Sequence, residues 1–214
     1  NLLRQVRSLV RPGTTYVDIG ANIGLMSVPI LATMDDVTVW SFEPSPANLP
    51  YLRRTFETCS FQSRWRIIPK AASDRSGQSG FYSSAANGGA LDGLKNTGRI
   101  EDLKPLTVEC ATVDQLWAQS GKPAISCVKV DVEGAELMVL KGAERCLSSQ
   151  RPPVLLEWNA TNLMAYGCAP EELLSYARAH ELELVSCVHF TVVTSASMLR
   201  LAMQDCENFL LMPR

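Results

Sequence analysis

Two short stretches constrain the fold of this chain most: Val17-Asp18-Ile19-Gly20-Ala21-Asn22-Ile23-Gly24 and, after one apolar segment, Phe42-Glu43-Pro44. The run Thr15 to Ile19 reads as a strand ending in glycines, and the apolar positions Leu25, Val28 and Leu31 start a helix behind it. Glycine lets a backbone turn tightly and approach a ligand, so whatever binds here lies over the strand's carboxyl end. A second strand, Val37 to Phe42, ends in another acid, Glu43. Together these are the opening of an α/β domain that holds a nucleoside.

The position of Asp18 says which nucleoside. In a nicotinamide or flavin site the pyrophosphate sits on the helix N-terminus, and a carboxylate this close to the first glycine repels it. The glycine spacing is also GxxxG and not GxGxxG. S-adenosylmethionine has no phosphates and offers a cationic amino group and a sulfonium, which an acid at Asp18 suits. Glu43 is placed to accept hydrogen bonds from two ribose hydroxyls. The bland account is a structural glycine turn with a solvated glutamate; the pairing of the two acids favours the site.

More motifs follow: Ile67 to Gly77 (IIPKAASDRSG), Thr112 to Leu116 (TVDQL), Val128 to Ala143 (VKVDVEGAELMVLKGA) and Val154 to Asn159 (VLLEWN). With VDIGANIG and FEPSPANL, the set resembles the FkbM family of methyltransferases from about Thr14 to Asn159, and KVDVEGAE is its most specific element. The resemblance implies a Rossmann-like class I methyltransferase fold. Such a fold has a mostly parallel seven-stranded sheet, ordered 3-2-1-4-5-7-6, with helices on both faces and an antiparallel C-terminal hairpin. It also implies methyl transfer from S-adenosylmethionine to a hydroxyl of a sugar, glycosylated or polyketide-type small molecule.

Composition narrows the partners. With 214 residues and 46% apolar content, the chain suits one domain over 1–214 with a sizeable core. A net charge of −2 leaves no basic footprint, which argues against nucleic acid as the main partner. The cysteines Cys59, Cys110, Cys127, Cys146, Cys168, Cys187 and Cys206 are widely spaced and form no CxxC. They read as small buried residues in a reducing, cytoplasmic compartment. No apolar run is long enough to span a bilayer, and the start at Asn1 has no signal-peptide pattern. That start also lacks a methionine, which leaves room for an upstream segment. The expected partner is a small-molecule hydroxyl acceptor. Oligomeric state stays open, because the apolar opening helix can pack on its own sheet or on another subunit.

Strand and helix patterns alternate, as in a parallel sheet covered on both faces. The patterns predict an opening helix Asn1 to Arg11 within an N-terminal segment 1–13, and a helix Pro46 to Thr58 with Pro46 in its first turn. A third strand is predicted at Arg66 to Lys70, then a strand Ser126 to Val130, a helix Ala135 to Leu147 and a strand Pro153 to Glu157. A helix Pro170 to His180 follows, and the closing strands Glu183 to Val193 and Glu207 to Met212 are joined by a short polar bend. Ser73 to Thr107 is rich in Gly, Ser and Asn and too long for a simple crossover. The insertion 73–110 is therefore predicted to hold a hairpin and a mobile flap. There Asn87, Asp92, Lys95 and Asn96 surround Gly88, Gly89 and Gly93, as in a lid over a polar acceptor or in a solvated loop.

Open α/β sheets bind ligands outside the carboxyl ends of their strands. The candidate cofactor residues are therefore Asp18, Gly20, Asn22, Gly24, Glu43, Pro44, Ala71, Ala72 and Asp131. Ala71 and Ala72 leave room for an adenine ring, or are core filler, and Asp74 can accept from the ring's amine. Lys129 and Asp131 share one strand face, and the charges from Lys129 to Glu136 must pair with one another or with a ligand. Glu133 and Glu136 read as caps of the following helix. An alcohol acceptor must lose its proton, so the candidate catalytic residues are Asp131, Glu157 and Lys129. The general-base candidates are Asp131, Glu157 and His189 in that order, then Glu133. His189 reads as readily as a structural residue, and Trp158 as a core residue or a sugar-stacking one. No metal ligands are assigned; magnesium is a candidate because the acids and Asn159 offer oxygen donors, and sensitivity to a chelator tests it. Two other classes stay open: a nicotinamide-dependent oxidoreductase, which shares Glu43, and a non-catalytic nucleotide-binding domain.

Overall fold

Every residue of Thr15–Ile19 and of Ile125–Val130 is buried, the pattern of strands covered on both faces. The computed structural model describes residues 2–84, 89, 91–99 and 101–214. In it the chain runs α1 (Leu2–Leu9), β1 (Thr15–Ile19), α2 (Ser27–Thr33), β2 (Thr38–Phe42), α3 (Leu49–Thr58) and β3 (Trp65–Ile68). Next come β4 (Ala71–Ala72), β5 (Gly77–Ser83), β6 (Lys104–Ala111), α4 (Val113–Gln119), β7 (Ile125–Val130), α5 (Glu136–Gly142) and α6 (Glu144–Gln150). The chain closes with β8 (Val154–Glu157), α7 (Ala160–Tyr166), α8 (Glu171–Ala179), β9 (Leu182–Ser186), α9 (Ala196–Ala202) and β10 (Asn208–Pro213).

The large sheet has seven strands in the order β3-β2-β1-β7-β8-β10-β9. Counted by its own strands this is 3-2-1-4-5-7-6, with β10 antiparallel to both β8 and β9. Strand alternation sends Val17, Ile19, Val128 and Val130 into one core with Trp117, Leu140, Leu173 and Leu199. Tyr16 and Cys127 point the other way, to Val6, Ile30, Leu31 and Leu52. All seven cysteines are free. A second sheet, β4-β6-β5, is built by the insertion, with β5 antiparallel to β6 and β4 parallel to it. Of the insertion residues singled out above, Asn87 and Gly88 lie outside the described residues.

Several boundaries differ from the sequence pattern, each for a local reason. Leu25 precedes α2 and is 69% exposed, so it is not part of that helix's buried face. Pro46 lies before α3, whose first turn carries Pro50 instead. The predicted helix Ala135 to Leu147 is two helices, because the carboxylate of Asp114 accepts from Arg145 N (3.0 Å) and Cys146 N (2.7 Å) and so starts a second one. The closing strands do pair, but β9 stops at Ser186. Phe190 turns with φ 51°, residues 191–193 fold back on β9, and α9 fills the connection predicted as a polar bend. That return covers part of the sheet edge. Neither α4 nor α7 was predicted, although Thr112 and Asn159 cap them by accepting from Gln115 N and Asn162 N.

The insertion is anchored at its base by a close backbone approach. A Cβ at Gly142, the last residue of α5, would lie 1.9 Å from the carbonyl oxygen of Ser73, just after β4. No rotamer relieves a backbone contact, so Gly142→Ala should cost about 2–3 kcal/mol of stability. A urea midpoint within error of wild type would contradict this packing.

Candidate active site

Three strand ends are tied together by backbone alone. Gly20 turns with φ +75°, and a Cβ there would lie 1.8 Å from the carbonyl oxygen of Asp131. Gly20 N and Ala21 N both donate to Phe42 O at 3.0 Å, and Asp131 N donates to Ile19 O at 3.1 Å. The turn after β1 thus meets the ends of β2 and β7 in direct contact, which only glycine at position 20 permits.

Lys129 locks this junction from below. Its buried ammonium donates to Gly20 O at 2.7 Å and lies 3.3 Å from Asp131 Oδ2 and 3.6 Å from Asp18 Oδ1. Burial works against its charge, but the acids Asp131 and Asp18 outweigh that and raise its pKa. Asp18 is fully buried and accepts from Ser27 Oγ at 2.5 Å. Burial raises its pKa, partly offset by Lys129 and Ser27.

Above the junction lies a partly enclosed cleft. Gly20, Asn22, Glu43, Pro44, Ala71, Ala72 and Asp131 line it, all among the predicted cofactor residues. Asp18 and Gly24 do not. The Asp18 carboxylate is committed to Ser27 and Lys129, and Gly24 packs against Leu52 and Trp65. Glu43 is buried, with Oε2 accepting from Asn22 N (2.7 Å) and Oε1 from Ser45 N (2.8 Å) and more distantly from Asn48 Nδ2 (3.4 Å). Desolvation still raises its pKa to about 7.

The insertion supplies the roof, with Phe81, Gly89, Asp92, Gly93 and Leu94 in the lining. Asp92 accepts from Ser45 Oγ (2.5 Å), Ser83 Oγ (2.6 Å) and Ser84 N (3.0 Å), which ties roof to floor. Of these, Asp92, Gly89 and Gly93 belong to the predicted lid; Phe81 and Leu94 had no sequence signal beyond being apolar.

At the cleft's rim, Asp131, Glu133 and Glu157 each bring one carboxylate oxygen within 4.8 Å of the others. Asp131 is 46% exposed at its side chain. Glu133, held at φ 58°, is no cap. It pairs with Arg99 at 2.8 Å and accepts from Asn162 Nδ2 at 2.9 Å. The same amide reaches Glu157 at 3.0 Å. Glu157 has no cationic partner in this cluster; burial, then Asp131 and Glu133, push its pKa up to about 8. Glu136 does cap, accepting from Val132 N and Gly134 N at 3.2 Å, and burial raises it to about 7. Arg99 and Asn162 carried no sequence signal, since they meet the acids only through the fold.

Other candidates are placed elsewhere. Lys129 faces a separate depression beside Ala21, Leu25 and Met26, so it orders the site rather than touching what the cleft holds. Asp74 is exposed and outside the cleft. Trp158 is buried with Nε1 donating to Pro170 O at 3.0 Å, a core residue. His189 is 60% exposed beside Asp205 near α9, away from the acids. For magnesium the acid cluster has the right donor type, but two of its three carboxyl groups already accept from Arg99 and Asn162. Arg99 and Asn162 occupy Oε2 of Glu133 and Asn162 that of Glu157, so a cation here would have to compete with a guanidinium and an amide.

A family model described as the methyltransferase FkbM domain matches residues 18–182, most of the chain and every strand end that lines the cleft. The chain belongs to the FkbM methyltransferase family. It is 28% identical over 162 residues to the 2-O-methyltransferase NoeI of Sinorhizobium fredii, covering 69% of this chain and 65% of that protein. It is 31% identical over 166 residues to the 31-O-demethyl-FK506 methyltransferase FkbM of Streptomyces tacrolimicus, covering 63% of this chain and 61% of that protein. The chain thus spans less than two thirds of the length of either relative. The crystal structure of methyltransferase FkbM from Methylobacillus flagellatus KT superposes with a TM-score of 0.58 at 16% identity, over 98% of this chain and 50% of that one. That likeness is one of fold. Membership in a methyltransferase family sets aside the nicotinamide reading.

The acids make stability depend on pH. Glu43 and Glu136 stand near 7 and Glu157 near 8, all above an ordinary value of 4.5. Their folded pKa values are raised, so the stability they contribute is present below the unfolded pKa and lost as pH rises through 7 to 8. Thermal melts of the ligand-free protein should show Tm falling from pH 5 to 8.5, and Glu157→Gln should flatten the fall. A Tm that climbs over this range would contradict the burial described for these carboxyls.

Proposed function

We propose that this chain is an O-methyltransferase domain that uses S-adenosylmethionine and acts on a hydroxyl of a sugar, glycosylated or polyketide-type small molecule. The observation that carries it is the cleft at the strand ends. Gly20 and Asn22 provide a close backbone floor, Glu43 an acceptor for ribose, Ala71 and Ala72 space for adenine, and Asp131 an acid at the rim. Glu43 is a buried carboxylate without a cationic contact, and hydroxyl donors would stabilise its charge. Asp18 acts one step removed, through Ser27 and Lys129, by fixing the glycine turn. When bound, S-adenosylmethionine supplies a methyl group on a cationic sulfur.

The chain's own residues have two tasks. The roof on Phe81, Asp92 and Leu94 excludes water, and the strand ends align the acceptor oxygen. The acceptor's proton passes to Asp131, the cluster acid that both lines the cleft and is half exposed. Glu157, near 8, keeps its proton at neutral pH and so adds no charge beside Asp131. The chemistry of the partner is that of a small alcohol. Among the described residues no helix is long and apolar enough to cross a membrane, and the net charge of −2 suits neither nucleic acid nor an anionic surface, in keeping with work in the cytoplasm.

Calorimetry decides the cofactor: S-adenosylhomocysteine should bind and NADH should not, and the reverse would overturn the proposal. At pH 6, binding to ionised Glu43 should release a fraction of a proton, seen as a heat that depends on the buffer. Asp131→Asn should lower kcat at least about tenfold while changing S-adenosylhomocysteine affinity by less than about twofold. Chelator should leave turnover unchanged. Tight cofactor binding with no methyl transferred to any sugar or polyketide alcohol would instead mark a non-catalytic binding domain.

A further inference from the structure

Among the described residues, several buried side-chain polar atoms lack a hydrogen-bond partner, and of these Asn48 Oδ1 belongs to a residue that lines the cleft. Asn48 precedes α3 and is 2% exposed. Its amide orientation is decided by its neighbours. Nδ2 faces two acceptors, Glu43 Oε1 at 3.4 Å and Gly89 O at 3.2 Å, and turning the group over would set oxygen against oxygen. Oδ1 is therefore an acceptor with nothing to accept from, a state that is costly when buried.

Glu43 shows what is missing. A carboxylate has about four lone-pair sites. Asn22 N, Ser45 N and Asn48 Nδ2 already address its two oxygens, so little capacity is left for a diol with two donors. Asn48 lines the same cleft and has an acceptor to spare, beneath Gly89 of the roof. Resting on the cofactor reading above, we propose that Asn48 shares the ribose with Glu43. One ribose hydroxyl donates to the carboxylate and the other to Asn48 Oδ1. The same amide holds the roof through Gly89 O, so the residue that reads the ribose is also bonded to the insertion that covers it.

The test is a cycle between a residue and a ligand group. S-adenosylhomocysteine and its 2′-deoxy and 3′-deoxy analogues are titrated by calorimetry into wild type and Asn48→Ala, with melting curves recorded for both. S-adenosylhomocysteine should bind Asn48→Ala roughly five- to tenfold more weakly. One deoxy analogue should bind wild type weakly to the same degree and lose nothing further in the variant, because the bond is already absent. Equal losses for all three ligands, or none, overturn the role of Asn48 while leaving the cofactor reading intact. If wild type fails to bind S-adenosylhomocysteine, the cofactor reading falls and this inference with it. Should Asn48→Ala melt far below wild type, Asn48→Ser carries the same cycle.

Discussion

One buried ammonium organises the catalytic end of the sheet. Lys129 projects from β7 to the acid of β1, to the acid that follows its own strand, and to the carbonyl of the glycine turn. A lysine taken out of water is unfavourable unless it is paired and hydrogen-bonded, and here both needs are met at once. Removing the charge would leave Asp18 buried beside Ser27 alone and Gly20 O without its side-chain donor, with only the backbone bonds holding the turn to β7.

Around that cation the site is acidic. Glu43, Asp131, Glu133 and Glu157 surround or border the cleft, and the arginine that answers them, Arg99, comes from the insertion. Such an excess of buried carboxyl is costly when all are ionised, and it is relieved by protons, by hydroxyl donors or by a positive ligand. A sulfonium and an ammonium group suit this environment better than a phosphate would. The electrostatics and the family membership therefore point the same way by independent routes.

The sheet was legible in the sequence because its central strands β1 and β7 are buried on both faces and mostly apolar, and because the glycine and acid motifs are local. The direction of a single side chain was not. Asp18 sits at the predicted strand end yet turns beneath the turn, since its partner Lys129 arrives from a distant strand. The helix break at Ala143 is imposed by Asp114, and Trp158 is drawn inward by the carbonyl of Pro170. Roof residues Phe81 and Leu94 became visible only with the pairing of β5 and β6. Asn159 before α7 and Gly167 after it are different: a capping asparagine and a left-handed glycine are local signals that bracket that helix.

The side-by-side pairing of β4 and β6, with Ala71 opposite Cys110, bears on how such a domain diversifies. The chain leaves the main sheet and returns to it at one narrow neck. Lengthening a loop whose ends are already clamped adds little entropic cost. Segments between that do not bond to the floor, as Asp92 and Arg99 do, can change in length and composition while the cleft floor keeps its shape. Selectivity for different acceptors can then evolve as an exchange of canopies over a constant base.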